Sequence, residues 1–240
     1  IDTGGPRMKR IGILCASDTE LKPFLDDLKC EYVTERAMLR FYEGTIHGHR
    51  IVAAYSGVGK VNAAIAAQIL IDFFGVEAIL NAGTAGGIEV SVHLFDTVIS
   101  EQLSYHDLED DILTQFHPWL KKSYFSADQT LLAAAKRCCA KSQYPVLFGA
   151  IVTGESFIEN EARPVLMERF SPLAADMESA SIAHVCHVNK LPFLSIRTIT
   201  DTAEQSGIGA FEENCAKASR ISAELTIALL DHIIDFSEGE

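Results

Sequence analysis

Positive charge is scarce in this chain: 20 Lys and Arg stand against 33 Asp and Glu, a net charge of −13 over 240 residues. A surface that grips nucleic acid or an anionic membrane needs Lys and Arg to meet phosphates, so neither is an expected partner. An uncharged nucleoside remains compatible with that balance. Long hydrophobic runs are missing too. The best apolar stretch, residues 63–70, is too short for a membrane span and is broken by Gln68 and Asp72. No secretory signal pattern is visible. The 6 cysteines, Cys15, Cys30, Cys138, Cys139, Cys186 and Cys215, form no C-x-x-C pair and no regular spacing. Reduced thiols in a cytoplasmic protein are therefore expected, not a disulfide framework.

Several catalytic signatures are absent as well. There is no G-x-S-x-G, so serine-hydrolase chemistry has no support. Ser56-Gly57-Val58-Gly59-Lys60 invites a phosphate-loop reading, but Ala54 stands where the first glycine belongs and Val61 where a hydroxyl should follow the lysine. His184 and His187, with Cys186 between them, have no second ligand pair at metal-site spacing, so packed or solvated histidines are expected and no metal. Repeats and low-complexity linkers are absent too. The first seven residues, IDTGGPR, read as a leftover of expression cloning ahead of a start at Met8, and residues 8–235 as one domain.

What is present alternates strands with helices, which predicts an α/β fold: helices on both sides of a mixed, largely parallel sheet. Residues 11–15 read as a buried strand feeding a helix. Residues 40–45 and 50–55 read as a hairpin around Ile46-His47-Gly48-His49. A helix over 61–74 is expected to carry Ile65, Ile69 and Phe73 on one apolar face and to stop at Gly75. Residues 78–80 form a strand that runs into NAGTAGG, which reads either as a stretch whose backbone N–H groups approach a ligand closely or as a glycine-rich turn with no ligand. A strand over 96–103 precedes a polar, acidic loop, residues 105–119. A helix over 127–139, a strand over 146–152 and a helix over 159–169 follow. A long helix over 211–236, with Ala218, Ile221, Leu225 and Leu229 on one face, closes the chain.

The stretch from Ala174 to Gln205 carries the densest chemistry. Glu178 sits at the start of a helix. Residues 191–200 form an apolar strand that holds Arg197, and Asp201 stands where that strand ends. In open α/β sheets ligands bind beyond the carboxyl ends of strands, and residues i and i+4 of a strand share a face. Arg197 and Asp201 are therefore expected on the same side, and Arg197, if buried, needs a partner. At the end of the first strand, Ser17-x-x-Glu20 matches a capping box. Glu20 therefore has two readings, a helix cap or a carboxylate facing the crevice.

In order and spacing, IGILCASDTEL, SGVGKVNAA, NAGTAGG, TGESFI, DMESASIAHVCH and RTITDTAE resemble the 5′-methylthioadenosine/S-adenosylhomocysteine nucleosidases of the nucleoside phosphorylase superfamily. The resemblance implies a three-layer α/β/α sandwich, a homodimer, and hydrolysis of an adenine–ribose bond without metal or cofactor. It implies Asp201 as the acid that protonates adenine N7, Glu20 as the base that activates water, and Glu178 as the holder of the ribose hydroxyls. Phe157 would stack on adenine and the backbone of Ile158 would read its edge. Met177 and Phe211 would line the ribose and thioalkyl pocket. Thr84 and Arg197 would help place the water, with Ala85 and Gly86 beside the substrate. Phe116 and Pro118 of the 105–119 loop would close the neighbour's pocket. Cys15 and Ser17 depart from the Gly and Met of many members, Asp176 replaces a common Glu, and the loop after Asp107 is shorter than usual.

Three rivals remain open at this level. A phosphorylase of the same superfamily would carry an arginine where this chain has Asn81. A nucleosidase for another modified adenosine, such as aminodeoxyfutalosine, would share the acids and differ in the tail pocket. A non-catalytic nucleoside-binding module would bind adenine compounds and leave them intact.

Overall fold

The computed structural model describes residues 10–109 and 111–233. The remnant assigned to residues 1–7 lies outside them. In chain order the elements are β1 (Arg10–Cys15), α1 (Asp18–Asp27), β2 (Lys29–Arg36), β3 (Leu39–Ile46), β4 (His49–Tyr55), α2 (Lys60–Asp72), β5 (Ala78–Gly87), β6 (Thr97–Tyr105), α3 (Ile112–Gln115), β7 (Phe125–Ser126), α4 (Gln129–Cys139), β8 (Val146–Thr153), α5 (Arg163–Phe170), β9 (Ala174–Asp176), α6 (Ser179–Val188), β10 (Phe193–Asp201) and α7 (Ile208–Leu230).

The strands form one sheet in the order β10-β6-β8-β9-β5-β1-β4-β3-β2, with β7 on β6. Because β10 also pairs with β5, five strands close on one another and the remaining four extend from the ring as an open sheet. The ladders β1–β4, β1–β5, β5–β10 and β6–β8 are parallel. The β2–β3–β4 hairpins and the β6–β10 and β5–β9 pairs are antiparallel, so the sheet is mixed and its parallel pairings lie at its centre. Alternation along the strands separates two cores. Ile11, Ile13, Leu80, Leu194 and Ile196 face α1, α4 and α7. Leu14, Val52, Ala54, Ile79 and Phe193 face α2 and α6.

Four expectations are corrected. NAGTAGG is not a turn: β5 runs unbroken from Ala78 to Gly87, because β10 bonds it on one side while β1 and then β9 bond it on the other. The buried face of α2 is Ala63, Ala66, Ala67 and Leu70, whereas Ile65 and Phe73 are exposed. Apolar residues surround this helix, so their spacing selects no face, and the alanines let it lie close to the sheet. The expected helix over 159–169 begins as a 3-10 turn, Asn160–Ala162, before α5. The last helix ends at Leu230; residues 234–236 of the expected span are outside the described ones. Strands β2, β7 and β9 were not expected.

Candidate active site

The Glu20 carboxylate satisfies both of its readings. Ser17 caps α1: its hydroxyl accepts the Glu20 N–H at 3.3 Å, and its own N–H donates back to Glu20 Oε2 at 3.3 Å. Ala16 N–H donates to the same oxygen at 2.7 Å. The other oxygen, Oε1, leaves the cap and accepts the N–H and the hydroxyl of Thr84, each at 2.8 Å. Glu20 is buried. This approach explains one glycine of β5. A Cβ on Gly83 would stand 2.5 Å from the Glu20 carboxyl carbon, inside van der Waals contact.

Arg197 and Asp201 leave the same strand and part company. The β10–β5 register shifts between Ile199 and Asp201, so regular i, i+4 alignment does not hold there. Arg197 is fully buried beneath the site and does not line it. Its guanidinium lies 3.1 Å from Asp176, 3.6 Å from Glu178 and 3.8 Å from Glu20. It also donates to Asn81 Oδ1 at 2.9 Å and to the Thr84 carbonyl at 3.1 Å. Asp201 instead faces Gly86, where an added Cβ would stand 2.9 Å from its Oδ2. It accepts the Thr200 hydroxyl at 2.9 Å.

Glu178 precedes α6 and is held over Arg197, with Gly59 N–H 3.4 Å from its Oε2. The residue that secures this turn is Asp176, noted in the sequence only as a departure. It accepts the Thr153 hydroxyl at 2.6 Å, the Ser179 N–H at 3.1 Å and the Glu178 N–H at 3.2 Å, besides a close contact from the Ser179 hydroxyl. The D-x-x-S spacing at the head of a helix is the signal that could have found it.

Glu20, Asp201 and Glu178, far apart in sequence, line one cavity of about 260 Å³. Thr84, Ala85, Gly86, Phe157, Ile158, Met177 and Phe211 line it as well, so Arg197 alone among the expected site residues lies off its wall. Val58 and Ile208 add apolar surface that the sequence reading missed. The Phe157 and Phe211 rings meet edge to face at 6.5 Å. The lining carries four carboxylates and no Lys, Arg or His. Asn81, at the position where a phosphorylase would carry an arginine, is buried and donates to the Leu14 carbonyl at 2.8 Å. A roomier groove of about 690 Å³, between α1, α7 and the β3–β4 hairpin, holds none of these buried acids. His184 packs on the Phe125 ring at 5.0 Å and meets the Tyr105 hydroxyl at 3.2 Å.

Burial sets the protonation of the site. Removal from water pushes the Glu178 pKa up to about 8; Arg197 opposes the rise, and the like charges of Asp176 and Glu20 add to it. Asp201 is also raised by burial, against the pull of the Thr200 hydroxyl and of Arg163. Desolvation works against the Arg197 charge, but Asp176, Glu178 and Glu20 outweigh it and hold the guanidinium charged. A buried carboxyl that keeps its proton near neutral pH can act as an acid, and a carboxylate rich in N–H donors can act as a base.

The chain matches the model of the phosphorylase superfamily over residues 10–231. It is 35% identical to the 5′-methylthioadenosine/S-adenosylhomocysteine nucleosidase of Halalkalibacterium halodurans, over 94% of this chain and all of that protein. The structure of a nucleosidase of the same name from Colwellia psychrerythraea, in complex with adenine, superposes with a TM-score of 0.85 at 32% identity, covering 95% of this chain and 96% of that one. A futalosine hydrolase of Helicobacter pylori superposes with a TM-score of 0.86 at 27% identity, covering 93% and 98%. The chain belongs to the 5′-methylthioadenosine/S-adenosylhomocysteine nucleosidase family of the phosphorylase superfamily, and is an N-glycosyl hydrolase.

Proposed function

We propose that the enzyme cleaves the N-glycosidic bond of 5′-methylthioadenosine and S-adenosylhomocysteine, with Asp201 as general acid and Glu20 as general base. Asp201 gives its proton to N7 of adenine as the C1′–N9 bond breaks and its electron pair returns to the base. Water adds to C1′, and Glu20 takes its proton. Adenine and the free thioribose leave. Glu178 holds the ribose hydroxyls, Phe157 stacks on the base, Ile158 meets its edge, and Met177 and Phe211 with Val58 and Ile208 form the apolar tail pocket. Thr84 orients Glu20 directly, and Arg197 acts through the carboxylates it holds.

The observation that carries this reading is that Glu20 and Asp201 line one cavity, with the Asp201 pKa raised by burial. The all-acidic lining favours water over phosphate as nucleophile, since no cation faces the space an anion would need. Product analysis with and without phosphate tests it: adenine and free sugar should appear at equal rates in both. A strict phosphate requirement, with ribose 1-phosphate as product, would refute hydrolysis. Asp201→Asn should keep nucleoside binding and lose roughly 100-fold or more in kcat. Turnover of aminodeoxyfutalosine beside the two thioribosides tests the tail preference.

We further read the enzyme as a cytoplasmic homodimer. Its cysteines are all free thiols. Val58, Val61 and Ile65 present an exposed apolar face on and before α2, and Val58 also lines the cavity, so a second copy covering this face would close the site's mouth. Phe116 and Trp119, exposed on the 105–119 loop, supply apolar tips for the same contact.

A further inference from the structure

One buried cation has no place in the mechanism above. Arg163 opens α5, where the positive end of the helix dipole disfavours it. It is nonetheless 5% exposed. Two of its nitrogens are engaged: Nε donates to Asn160 Oδ1 at 3.1 Å, and Nη1 donates to the Gly87 carbonyl at the end of β5. The third, Nη2, has no hydrogen-bond partner and stands 3.7 Å from Asp201 Oδ2. A buried guanidinium nitrogen without a partner is costly, and structures rarely keep one idle.

We propose that Arg163 is the positioning residue for Asp201: it receives the carboxylate that forms when Asp201 gives up its proton. This rests on the acid role proposed for Asp201. The acid role requires Asp201 to carry its proton before the reaction, and its Oδ2 stands 3.7 Å from Nη2, near but not hydrogen-bonded. As the proton leaves, a full negative charge develops on a buried carboxylate. The neighbours of that carboxylate are Thr200 from its own strand, Gly86 from β5 and Arg163 from α5; the guanidinium is the charged one among them. A short move of Oδ2 toward Nη2 then makes a charge-assisted hydrogen bond that exists only after proton transfer has begun. An interaction stronger in the transition state than in the ground state lowers the barrier. The anchor to Gly87 matters too, because it ties the cation to the strand whose Gly86 admits Asp201.

Arg163 also pulls the Asp201 pKa down against burial. Removing the guanidinium therefore raises that pKa and makes Asp201 a weaker acid. Activity requires protonated Asp201, so the alkaline limb of the kcat profile moves to higher pH while the plateau falls.

The test is a set of four enzymes assayed for adenine release across pH: wild type, Arg163→Met, Arg163→Lys and Asp201→Asn, with the double variant Asp201→Asn/Arg163→Met. Arg163→Met should lose roughly 10- to 100-fold in kcat, less than loss of the acid itself, with KM little changed. Its alkaline limb should shift upward, and Arg163→Lys should recover part of both effects. In the Asp201→Asn background, Arg163→Met should cost nothing further in kcat. A plain loss of folding would lower kcat in both backgrounds without moving the limb, and that result would overturn the proposal. So would an unmoved limb in a well-folded Arg163→Met. If Asp201→Asn itself stays fully active, the acid assignment fails first and is distinguished from failure of Arg163 alone.

Discussion

Gly83→Ala is the smallest change that separates the proposed water end of the site from the proposed adenine end. The added methyl would lie 2.5 Å from both the carboxyl carbon and Oε1 of Glu20. Ordinary contact begins near 3.4 Å, so about 1 Å of movement is forced. At Gly83 the strand is paired to β10 on one side, and its N–H donates to the Ser222 hydroxyl at 3.0 Å, so the backbone is held and Glu20 is left to move. Its carboxylate is fixed by Ala16 N–H at 2.7 Å and by the N–H and hydroxyl of Thr84 at 2.8 Å. Displacement by 1 Å breaks at least one of these charge-assisted bonds, each worth about 1.5–3 kcal/mol.

Two readouts follow. A catalytic base misplaced by about 1 Å costs on the order of 100-fold in rate, so kcat should fall by that factor. The lost hydrogen bond should lower the melting temperature by roughly 3–9 °C, at about 2–4 °C per kcal/mol for a chain of this size. Adenine, which would sit toward Gly86 and Asp201, should bind within about threefold of wild type. Steady-state kinetics, a thermal melt and an adenine titration check these together. Wild-type kcat in a variant that folds normally would refute the base assignment, because the methyl cannot be accommodated without disturbing Glu20.

Three further outcomes are expected. The folded pKa of Glu178, about 8, lies above its unfolded value of roughly 4.3, so this group favours the folded state below the unfolded value and loses that contribution as pH rises through about 8. Glu178→Gln should therefore lose less stability than wild type between pH 5 and 8.5 in urea melts, and parallel curves would contradict the assignment. Arg197→Met removes the cation shared by Asp176, Glu178 and Glu20 and should cost about 3–5 kcal/mol in chemical denaturation; a loss below about 1 kcal/mol would mean that the guanidinium is not what holds the three carboxyls together. Val61→Glu and Ile65→Glu, on exposed positions of α2, should shift sedimentation from dimer to monomer and weaken nucleoside binding, and unchanged sedimentation would reject that face as the interface.

The sequence marks positions well where local chemistry and site chemistry coincide. Glu20 is visible because the capping box needs an acid three residues after Ser17, and Asp201 because a polar residue ends an apolar strand. NAGTAGG is visible as special but is misread. Glycine spacing suggests a turn, whereas here the glycines clear room beside a straight strand for two carboxylates that arrive from elsewhere. The buried face of α2 is hidden because alanines, not the larger residues, touch the sheet. Arg163 is hidden because nothing local explains it. Its one trace is a cation placed against the helix dipole, and its partners on β5 and β10 are set by the closed ring of strands. Arg197 shows its need for a partner, but the register shift that turns it from Asp201 toward three other carboxylates is a property of the β10–β5 pairing and not of spacing.

The charge pattern of the site has a consequence for which reaction it can run. Beneath the cavity one guanidinium faces three carboxylates, and a second guanidinium faces Asp201 from behind. Both cations are buried off the cavity wall, so the space itself sees carboxylate oxygens. A unit charge pair at 4 Å interacts by about 4 kcal/mol at an effective dielectric near 20, enough to exclude an incoming anion and to favour a cation of equal size. Breaking an N-glycosidic bond makes such a cation on the ribose, between the proposed positions of Glu20 and Glu178. In the proposed mechanism, the acidic lining that disfavours phosphate is also the lining that favours the ribosyl cation. The raised pKa of Glu178, with burial as its main cause, belongs to the same balance, because it limits the negative charge gathered around Arg197.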